Sequence, residues 1–202
     1  MSSPPAFAPG DGLLLVDPQN DFCPGGSLAV ADGDAVMPVL SAWADAAERA
    51  GIPIFTSRDW HPAKTTHFQE YGGVWPPHCV MGTPGADFLP GLCTERFHAV
   101  WRKGYDRDFE AYAVTAQHPG FPGLLRDSGI SNVVVCGIAT NICCFYAARD
   151  LRRAGFRVLL VEDASAGIDV PAAGLYQEAA RAEGRQLGIE YVSLAALEAA
   201  VR

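Results

Sequence analysis

The chain has 202 residues, of which 49% are hydrophobic, and a formal net charge of −8 with 15 lysines and arginines. This length and hydrophobic content suit one large domain with an extensive core. Because the basic residues are scattered, apart from the pair Arg152–Arg153, the sequence argues against binding to nucleic acid or to an anionic membrane. No apolar run approaches the length of a membrane span.

The first eleven residues are rich in proline, serine and glycine, and they lack the basic start and long apolar core of a signal peptide. We expect residues 1–11 to be a disordered lead-in and residues 12–202 to form a single domain. The six cysteines could pair numerically, but the absence of an export signal favours reduced thiols. The sequence therefore predicts a cytoplasmic protein without disulfides.

The first predicted element is a buried strand from Gly12 to Val16, which delivers Asp17 to its carboxyl end. A helical repeat covers residues 34–50 and is followed by a second strand over residues 52–57. This strand–helix–strand unit indicates a parallel sheet. Ligands bind at the carboxyl edge of such sheets, so Asp17 is a candidate catalytic acid as well as a candidate turn cap.

A segment rich in potential metal ligands follows the second strand. Asp59 and His61 would project to the same side of an extended segment, and His67 and His78 lie within the next eighteen residues. Two histidines and a carboxylate form a recurring ligand set for Zn²⁺, Fe²⁺ or Mn²⁺. The spacing differs from that of a closed zinc finger, so the pattern alone supports a metal site and ordinary loop histidines about equally.

A third strand is predicted over residues 97–101, and it ends at the basic pair Arg102 and Lys103. Adjacent residues on a strand face opposite ways, so one of these two cations can point at the active edge of the sheet. The other would be a solvated surface charge. A short helix over residues 121–129 is predicted to follow.

The most informative stretch runs from residue 132 to residue 153. Val133–Val135 form a buried strand, Gly137 breaks it, and Thr140 and Asn141 can each cap the helix that follows. Cys143 would then lie at the start of a helix, where the dipole lowers the pKa of a thiol and free N–H groups can hold an oxyanion. Taken alone, a cysteine pair in this position is more often packing.

The remaining chain continues the alternation of strands and helices. Strands are predicted over residues 157–161 and 189–192, with a helix starting at Pro171 and running through Ala182, and a closing helix over residues 194–201. The pattern predicts a doubly wound α/β/α sandwich with a six-stranded, mainly parallel sheet. No glycine-rich phosphate loop follows any strand, so a nucleotide cofactor is not expected.

Three predicted strand or helix ends therefore deliver Asp17, a cation (Lys103 or Arg102) and Cys143 to one crevice. These groups provide a nucleophile, a base for its proton and a positive charge, which are the requirements of covalent acyl transfer. A serine-based alternative has no support, because the chain contains no GxSxG sequence.

Five segments in order along the chain carry a family resemblance. They are VDPQNDFCPGGSLAV from Val16, RDWHP from Arg58, WPPHCVMGTPGADF from Trp75, the KG pair at Lys103 and GIATNICC from Gly137. Together they resemble the nicotinamidase/pyrazinamidase branch of the isochorismatase-like cysteine hydrolases. The resemblance implies a metal-dependent amidohydrolase of NAD salvage, which converts nicotinamide, and also pyrazinamide, to the acid and ammonia through a cysteine thioester.

The resemblance also implies roles for individual residues. Cys143 matches the nucleophile at the end of the G-x-A-T-x-x-C pattern, Asp17 the general acid/base and Lys103 the third member of the triad. The family's oxyanion hole maps to the backbone N–H groups of Ala139 and Cys143, and its cis peptide bond maps to Ile138–Ala139.

The ligand sites are assigned in the same way. Asp59, His61 and His78 match the family's metal ligands, and His67 matches a position that ligates in some members. The resemblance therefore implies one divalent metal ion, with zinc, iron and manganese equally suited to these ligands. Phe22 and Trp75 match the aromatic residues that sandwich the pyridine ring. A small carboxamide is the expected partner, and a homo-oligomer remains open.

One position departs from the family pattern, and other functions compete. Asn141 stands where many nicotinamidases carry aspartate, although both residues can cap a helix. The chief alternative is an N-carbamoylsarcosine-like amidase, which shares the triad and generally lacks the metal set. A siderophore-type isochorismatase is disfavoured by Cys143. A redox or binding protein using the pair Cys143–Cys144 would leave the acid and the lysine without a role.

Overall fold

The computed structural model describes residues 7–193 and contains a six-stranded, all-parallel sheet in the order β3-β2-β1-β4-β5-β6. The strands are β1 (Asp11–Val16), β2 (Ile54–Asp59), β3 (Ala99–Lys103), β4 (Asn132–Ile138), β5 (Arg157–Ala166) and β6 (Glu190–Val192). The helices are α1 (Met37–Arg49), α2 (Val114–Gln117), α3 (Phe121–Asp127), α4 (Phe145–Arg153) and α5 (Gln177–Gln186). The predicted fold class is confirmed, since the strand order reverses on either side of β1 in a doubly wound manner.

Strand β1 lies at the centre of the sheet and is apolar because helices cover both faces. Leu13, Leu14 and Leu15 are almost completely buried in it, although their side chains alternate between the two faces. The paired strands β1 and β4 approach each other closely at Gly137. A Cβ at Gly137 would lie 2.0 Å from the carbonyl oxygen of Val16, and the φ of Gly137 is +132°. The strand break predicted at Gly137 is wrong, because β4 continues to Ile138 and only shifts its register with β5 between Val135 and Gly137. Gly137 is instead a position inside the strand that only glycine fills without strain.

Several predicted boundaries differ from the structure. Strand β3 ends at Lys103 and strand β5 continues to Ala166, which is five residues beyond the prediction. The predicted helix from Pro171 is a single 3₁₀ turn that ends at Gly174 in a left-handed conformation. The helix α5 starts only at Gln177, whose N–H donates to the Asp169 carboxylate. The predicted closing helix over residues 194–201 lies outside the described residues.

The structure describes residues 7–11 of the predicted lead-in. Strand β1 begins at Asp11, and the Ala8 N–H donates to the Asp11 carboxylate at 2.8 Å. Phe7 packs edge-on against Trp43 of α1, with ring centroids 5.6 Å apart. Residues 7–11 therefore belong to the fold, because Phe7 contributes an aromatic contact that composition alone does not reveal. Between residues 7 and 193, none of the helices combines the length and the apolar character that a bilayer crossing requires.

The central strand provides a test of this packing. Replacing Leu13 by alanine removes a completely buried side chain, so we expect a loss of about 2 to 5 kcal/mol in the free energy of unfolding. Urea denaturation measures this loss. The control is Leu124→Ala at an exposed position of α3, which should change stability by less than about 0.5 kcal/mol. Equal effects of the two substitutions would contradict the central placement of β1.

Candidate active site

The carboxyl ends of three neighbouring strands meet at one edge of the sheet. Asp17 follows β1, Asp59 is the last residue of β2 and Lys103 is the last residue of β3. Asp59 and Lys103 are direct partners in the parallel ladder between β2 and β3. Parallel pairing therefore brings together side chains that are more than forty positions apart in the sequence.

Lys103 is the centre of this cluster. Its Nζ lies 2.8 Å from Asp17 Oδ2, 2.6 Å from Asp59 Oδ1 and 3.5 Å from Cys143 Sγ. Burial opposes the charged form, but the two carboxylates outweigh burial and raise the pKa of Lys103 well above its ordinary value. The buried residue is thus an ammonium ion that contacts both acids and the thiol. Arg102, the alternative cation, is exposed and its guanidinium lies over the Trp60 ring at 4.8 Å.

Asp17 is completely buried, and its backbone has a positive φ of 45°. Burial raises the pKa of Asp17, while the Lys103 ammonium acts in the opposite direction. The hydroxyl of Ser57 donates to Asp17 Oδ1 at 2.7 Å and accepts from the Asp17 N–H at 3.3 Å. The sequence analysis missed Ser57. Its position two residues before Asp59, on the same face of β2, could have identified it.

Cys143 lies in a π-helical turn, Thr140–Cys144, which leads directly into α4. The predicted capping by Thr140 or Asn141 is wrong, because neither side chain caps the turn. The amide of Asn141 instead donates to the Ile168 carbonyl at 2.8 Å and accepts from the Ile168 N–H at 3.1 Å. A buried asparagine here satisfies the backbone of the loop after β5 and fixes the turn that carries the cysteine.

The predicted depression of the Cys143 pKa is also wrong. Burial raises the pKa of the Cys143 thiol well above its ordinary value, and the favourable Lys103 charge does not offset it. A hydrogen bond to Asp17 raises the pKa further, since it stabilises the thiol form. The sulfur lies within 4.8 Å of carboxylate oxygens of both Asp17 and Asp59. The resting group is therefore a thiol with an adjacent base.

A buried ligand set for a cation adjoins this triad. Asp59 Oδ2 lies 3.4 Å from His61 Nε2 and 3.7 Å from His78 Nε2. The Nδ1 of His78 lies 2.8 Å from the Pro76 carbonyl, which can only accept, so the neutral ring carries its proton on Nδ1 and a lone pair on Nε2. One carboxylate oxygen and the Nε2 atoms of two imidazoles thus converge, which is a ligand set suited to Zn²⁺, Fe²⁺ or Mn²⁺.

His67 lies beside this ligand set. Its Nδ1 is 3.0 Å from the Nδ1 of His61, and its Nε2 is buried without a hydrogen-bond partner. The group of ligand atoms within 4.8 Å of one another comprises Asp59, His61 and His78. His67 therefore contacts His61 at its Nδ1, whereas the Nε2 of His61 is the atom that faces Asp59.

A cavity opens above the thiol and the histidines. Phe22 and Trp75 line it, with ring centroids 5.7 and 6.3 Å from the imidazole of His78. Glu110 and Tyr112 also line the cavity, and the indole N–H of Trp75 donates to the Tyr112 hydroxyl at 3.2 Å. The sequence analysis missed these two residues because the segment after Lys103 has no strand or helix periodicity.

Backbone geometry completes the site. The peptide bond between Ile138 and Ala139 is cis, at the position that the resemblance implies, and Ala139 lines the cavity beside Cys143. Gly104 has a φ of +72°, and a Cβ there would lie 2.4 Å from Cε1 of His61. The glycine after Lys103 therefore leaves room for the imidazole of His61.

A doubly wound sheet that carries a buried thiol, a carboxylate and an ammonium at its carboxyl edge is typical of cysteine hydrolases. The chain belongs to the isochorismatase family: the model of the isochorismatase domain matches residues 11–195.

Within the isochorismatase family, the chain is similar to proteins named as nicotinamidases and pyrazinamidases. The nicotinamidase/pyrazinamidase of Mycobacterium tuberculosis is 39% identical over 170 residues, which cover 77% of this chain and 86% of the relative. The structure of an Acinetobacter baumanii nicotinamidase/pyrazinamidase superposes with a TM-score of 0.85 at 32% identity, covering 93% of this chain and 98% of the neighbour. The pyrazinamidase of Pyrococcus horikoshii in complex with zinc gives a TM-score of 0.81 at 36% identity, covering 92% and 99%.

The ligand set can be tested by metal analysis. We expect purified protein to carry a divalent metal, and we expect His78→Ala to lower zinc affinity at least about tenfold, because one of three converging ligands is lost. Elemental analysis and chelator competition measure the content and the affinity. His118→Ala, at a histidine that contacts the Arg102 carbonyl, is the matched control and should retain the metal. Loss of metal in the control, or full occupancy in His78→Ala, would contradict the assignment.

Proposed function

We propose that this chain is a nicotinamidase, a metal-dependent amidohydrolase that converts nicotinamide to nicotinate and ammonia and also accepts pyrazinamide. The observation that carries the proposal is the contact of one buried ammonium, on Lys103, with Asp17, Asp59 and Cys143. With this contact, Cys143 and Asp17 would act as nucleophile and base beside the candidate metal ligands Asp59, His61 and His78, at a cavity lined by aromatic rings. The names of the similar proteins support the same substrates.

Substrate recognition rests on the walls of the cavity. Phe22 and Trp75 would pack against the two faces of a flat pyridine ring, and the desolvation of these faces favours binding. Asp59, His61 and His78 would hold the divalent metal. When bound, this ion supplies a Lewis acid for the lone pair of a ring nitrogen. Residues of this chain then orient the carboxamide towards Cys143.

The first chemical half-reaction acylates the enzyme. Asp17 accepts the proton of the Cys143 thiol as the sulfur attacks the carboxamide carbon and the C–S bond forms. The electron pair of the carbonyl bond moves to oxygen, where the backbone N–H groups of Ala139 and Cys143 hold the charge. The C–N bond then breaks, and Asp17 returns its proton to nitrogen, so that neutral ammonia leaves and a thioester remains.

The second half-reaction hydrolyses the thioester. Asp17, again a carboxylate, takes a proton from water as the water oxygen attacks the thioester carbon. The C–S bond breaks, the sulfur regains a proton from Asp17, and the acid product leaves. Lys103 remains an ammonium throughout and stabilises both the carboxylate of Asp17 and the transient thiolate of Cys143.

We also propose the domain bounds, the cellular compartment and the partners of the enzyme. We extend the predicted domain of residues 12–202 to residues 7–202, because Phe7 and Ala8 contact the fold. We place this hydrolase domain in the cytoplasm, in agreement with six cysteines that are all free in the structure. The net charge of −8 gives no attraction to nucleic acid, and a homo-oligomer of such domains is compatible with the fold. The compartment and the partners rest on composition and on the resemblance.

Ammonia release from nicotinamide tests the function. We expect turnover by the wild type, a fall of at least about 10³-fold in Cys143→Ala because the nucleophile is lost, and loss of activity after chelation that added zinc restores. A coupled ammonia assay measures all three. Pyrazinamide should give the same pattern.

The matched control is Cys93→Ala, which removes an exposed thiol outside the site and should keep wild-type rates. No ammonia from nicotinamide with the metal-loaded wild type would refute the substrate assignment. Activity that survives complete metal removal would show that Asp59, His61 and His78 have a structural role instead.

A further inference from the structure

Gln19 is a completely buried amide whose hydrogen bonds all go to backbone groups. Its Oε1 accepts from the Asp59 N–H at 2.7 Å, and its Nε2 donates to the Asp59 carbonyl at 2.8 Å. The same Nε2 donates to the Ala86 carbonyl at 2.9 Å. One side chain therefore holds both backbone polar groups of Asp59 and ties them to a neighbouring loop.

The sheet explains why this contact is needed. The ladder between β1 and β2 pairs Leu13 with Ile54 and ends where Leu15 pairs with Thr56. Beyond it the chain turns away at Asp17, whose φ is positive, and the Asp59 backbone loses its strand partner on that side. A primary amide offers the same donor and acceptor as a peptide group. Gln19 thus replaces the missing strand and satisfies groups that would otherwise be buried and unpaired.

The orientation of the Asp59 carboxylate depends on that backbone. Oδ1 of Asp59 lies 2.6 Å from Lys103 Nζ, while Oδ2 faces His61 and His78 at 3.4 and 3.7 Å. A rotation or shift of the Asp59 backbone would move both oxygens at once. Gln19 follows Asp17 by two residues, so the same short segment carries the catalytic acid and the amide that fixes the metal-site carboxylate.

We propose that Gln19 is a positioning residue that sets the affinity of the metal site by fixing the backbone of Asp59. The proposal rests on the proposed function only in that Asp59, His61 and His78 hold a divalent ion. Removal of a residue that hydrogen-bonds to a metal ligand without contacting the metal typically lowers metal affinity or activity 10- to 100-fold. We expect an effect of this size on zinc binding when the Gln19 amide is removed.

The test compares Gln19→Met with Asn20→Ala in the full-length protein. Methionine has a similar length but cannot make the three hydrogen bonds. Asn20 is the matched control, since its Nδ2 donates to the Pro84 carbonyl at 2.8 Å and therefore contacts the same loop as Gln19 without contacting Asp59. Zinc dissociation constants from competition with a chromogenic chelator should rise about 10- to 100-fold in Gln19→Met and less than about twofold in Asn20→Ala.

A second variant and a second readout separate positioning from a general structural role. Gln19→Asn keeps the amide but is one methylene too short to reach both Asp59 groups, so it should also weaken zinc binding. At saturating zinc, kcat for nicotinamide in both variants should return to within about threefold of the wild type. A structural defect that is independent of the metal would leave kcat low at all zinc concentrations.

Several outcomes would overturn the proposal. These are a folded Gln19→Met protein with the zinc dissociation constant of the wild type, a wild type without zinc affinity, and failure of both Gln19 variants to fold. The zinc measurement needs no turnover. A wild type that binds zinc more tightly than Gln19→Met but releases no ammonia would therefore refute the nicotinamidase assignment and leave the role of Gln19 supported.

Discussion

The site depends on one buried cation between two buried acids. Removing an ion from water costs several kcal/mol even inside a relaxed protein, and Lys103 is compensated by contacts with both Asp17 and Asp59. Without the ammonium, two carboxylates would face one another close to the sulfur of Cys143. The lysine therefore contacts both the thiol of Cys143 and the carboxylate of Asp59, a candidate metal ligand, and sets the charge around each of them.

This constraint also explains the opposite pKa shifts of the two acids. Burial alone would raise the pKa of both carboxyls. At Asp59, Lys103 and His61 outweigh burial and hold the pKa well below its ordinary value, so the residue remains an anion suited to a metal. At Asp17, burial prevails and the pKa rises, which suits the proposed role of accepting and returning a proton. One lysine thus supports two carboxylates with different tasks.

Much of this arrangement could be predicted from the sequence, because parallel strands end at a common edge. That rule places Asp17 and Lys103 together, and the two-residue period of a strand places His61 beside Asp59. The raised pKa of Cys143 could not be predicted, since the dipole of a helix start is visible in a sequence while the depth of burial is not. The contacts of Gln19 could not be predicted either. They replace the pairing that Asp59 loses where the chain after β1 turns away from β2, and the sequence does not show where that pairing ends.

Lys103 fixes the position of the Asp59 carboxylate relative to Asp17 and the Cys143 thiol. The most direct test is a crystal structure of zinc-loaded Cys143→Ala with nicotinamide. We expect zinc on Asp59 Oδ2, His61 Nε2 and His78 Nε2, with Lys103 Nζ still bonded to Asp59 Oδ1 and Asp17, and the carboxamide carbon facing residue 143. Zinc bound elsewhere, or a Lys103 displaced from either carboxylate when zinc binds, would contradict the account.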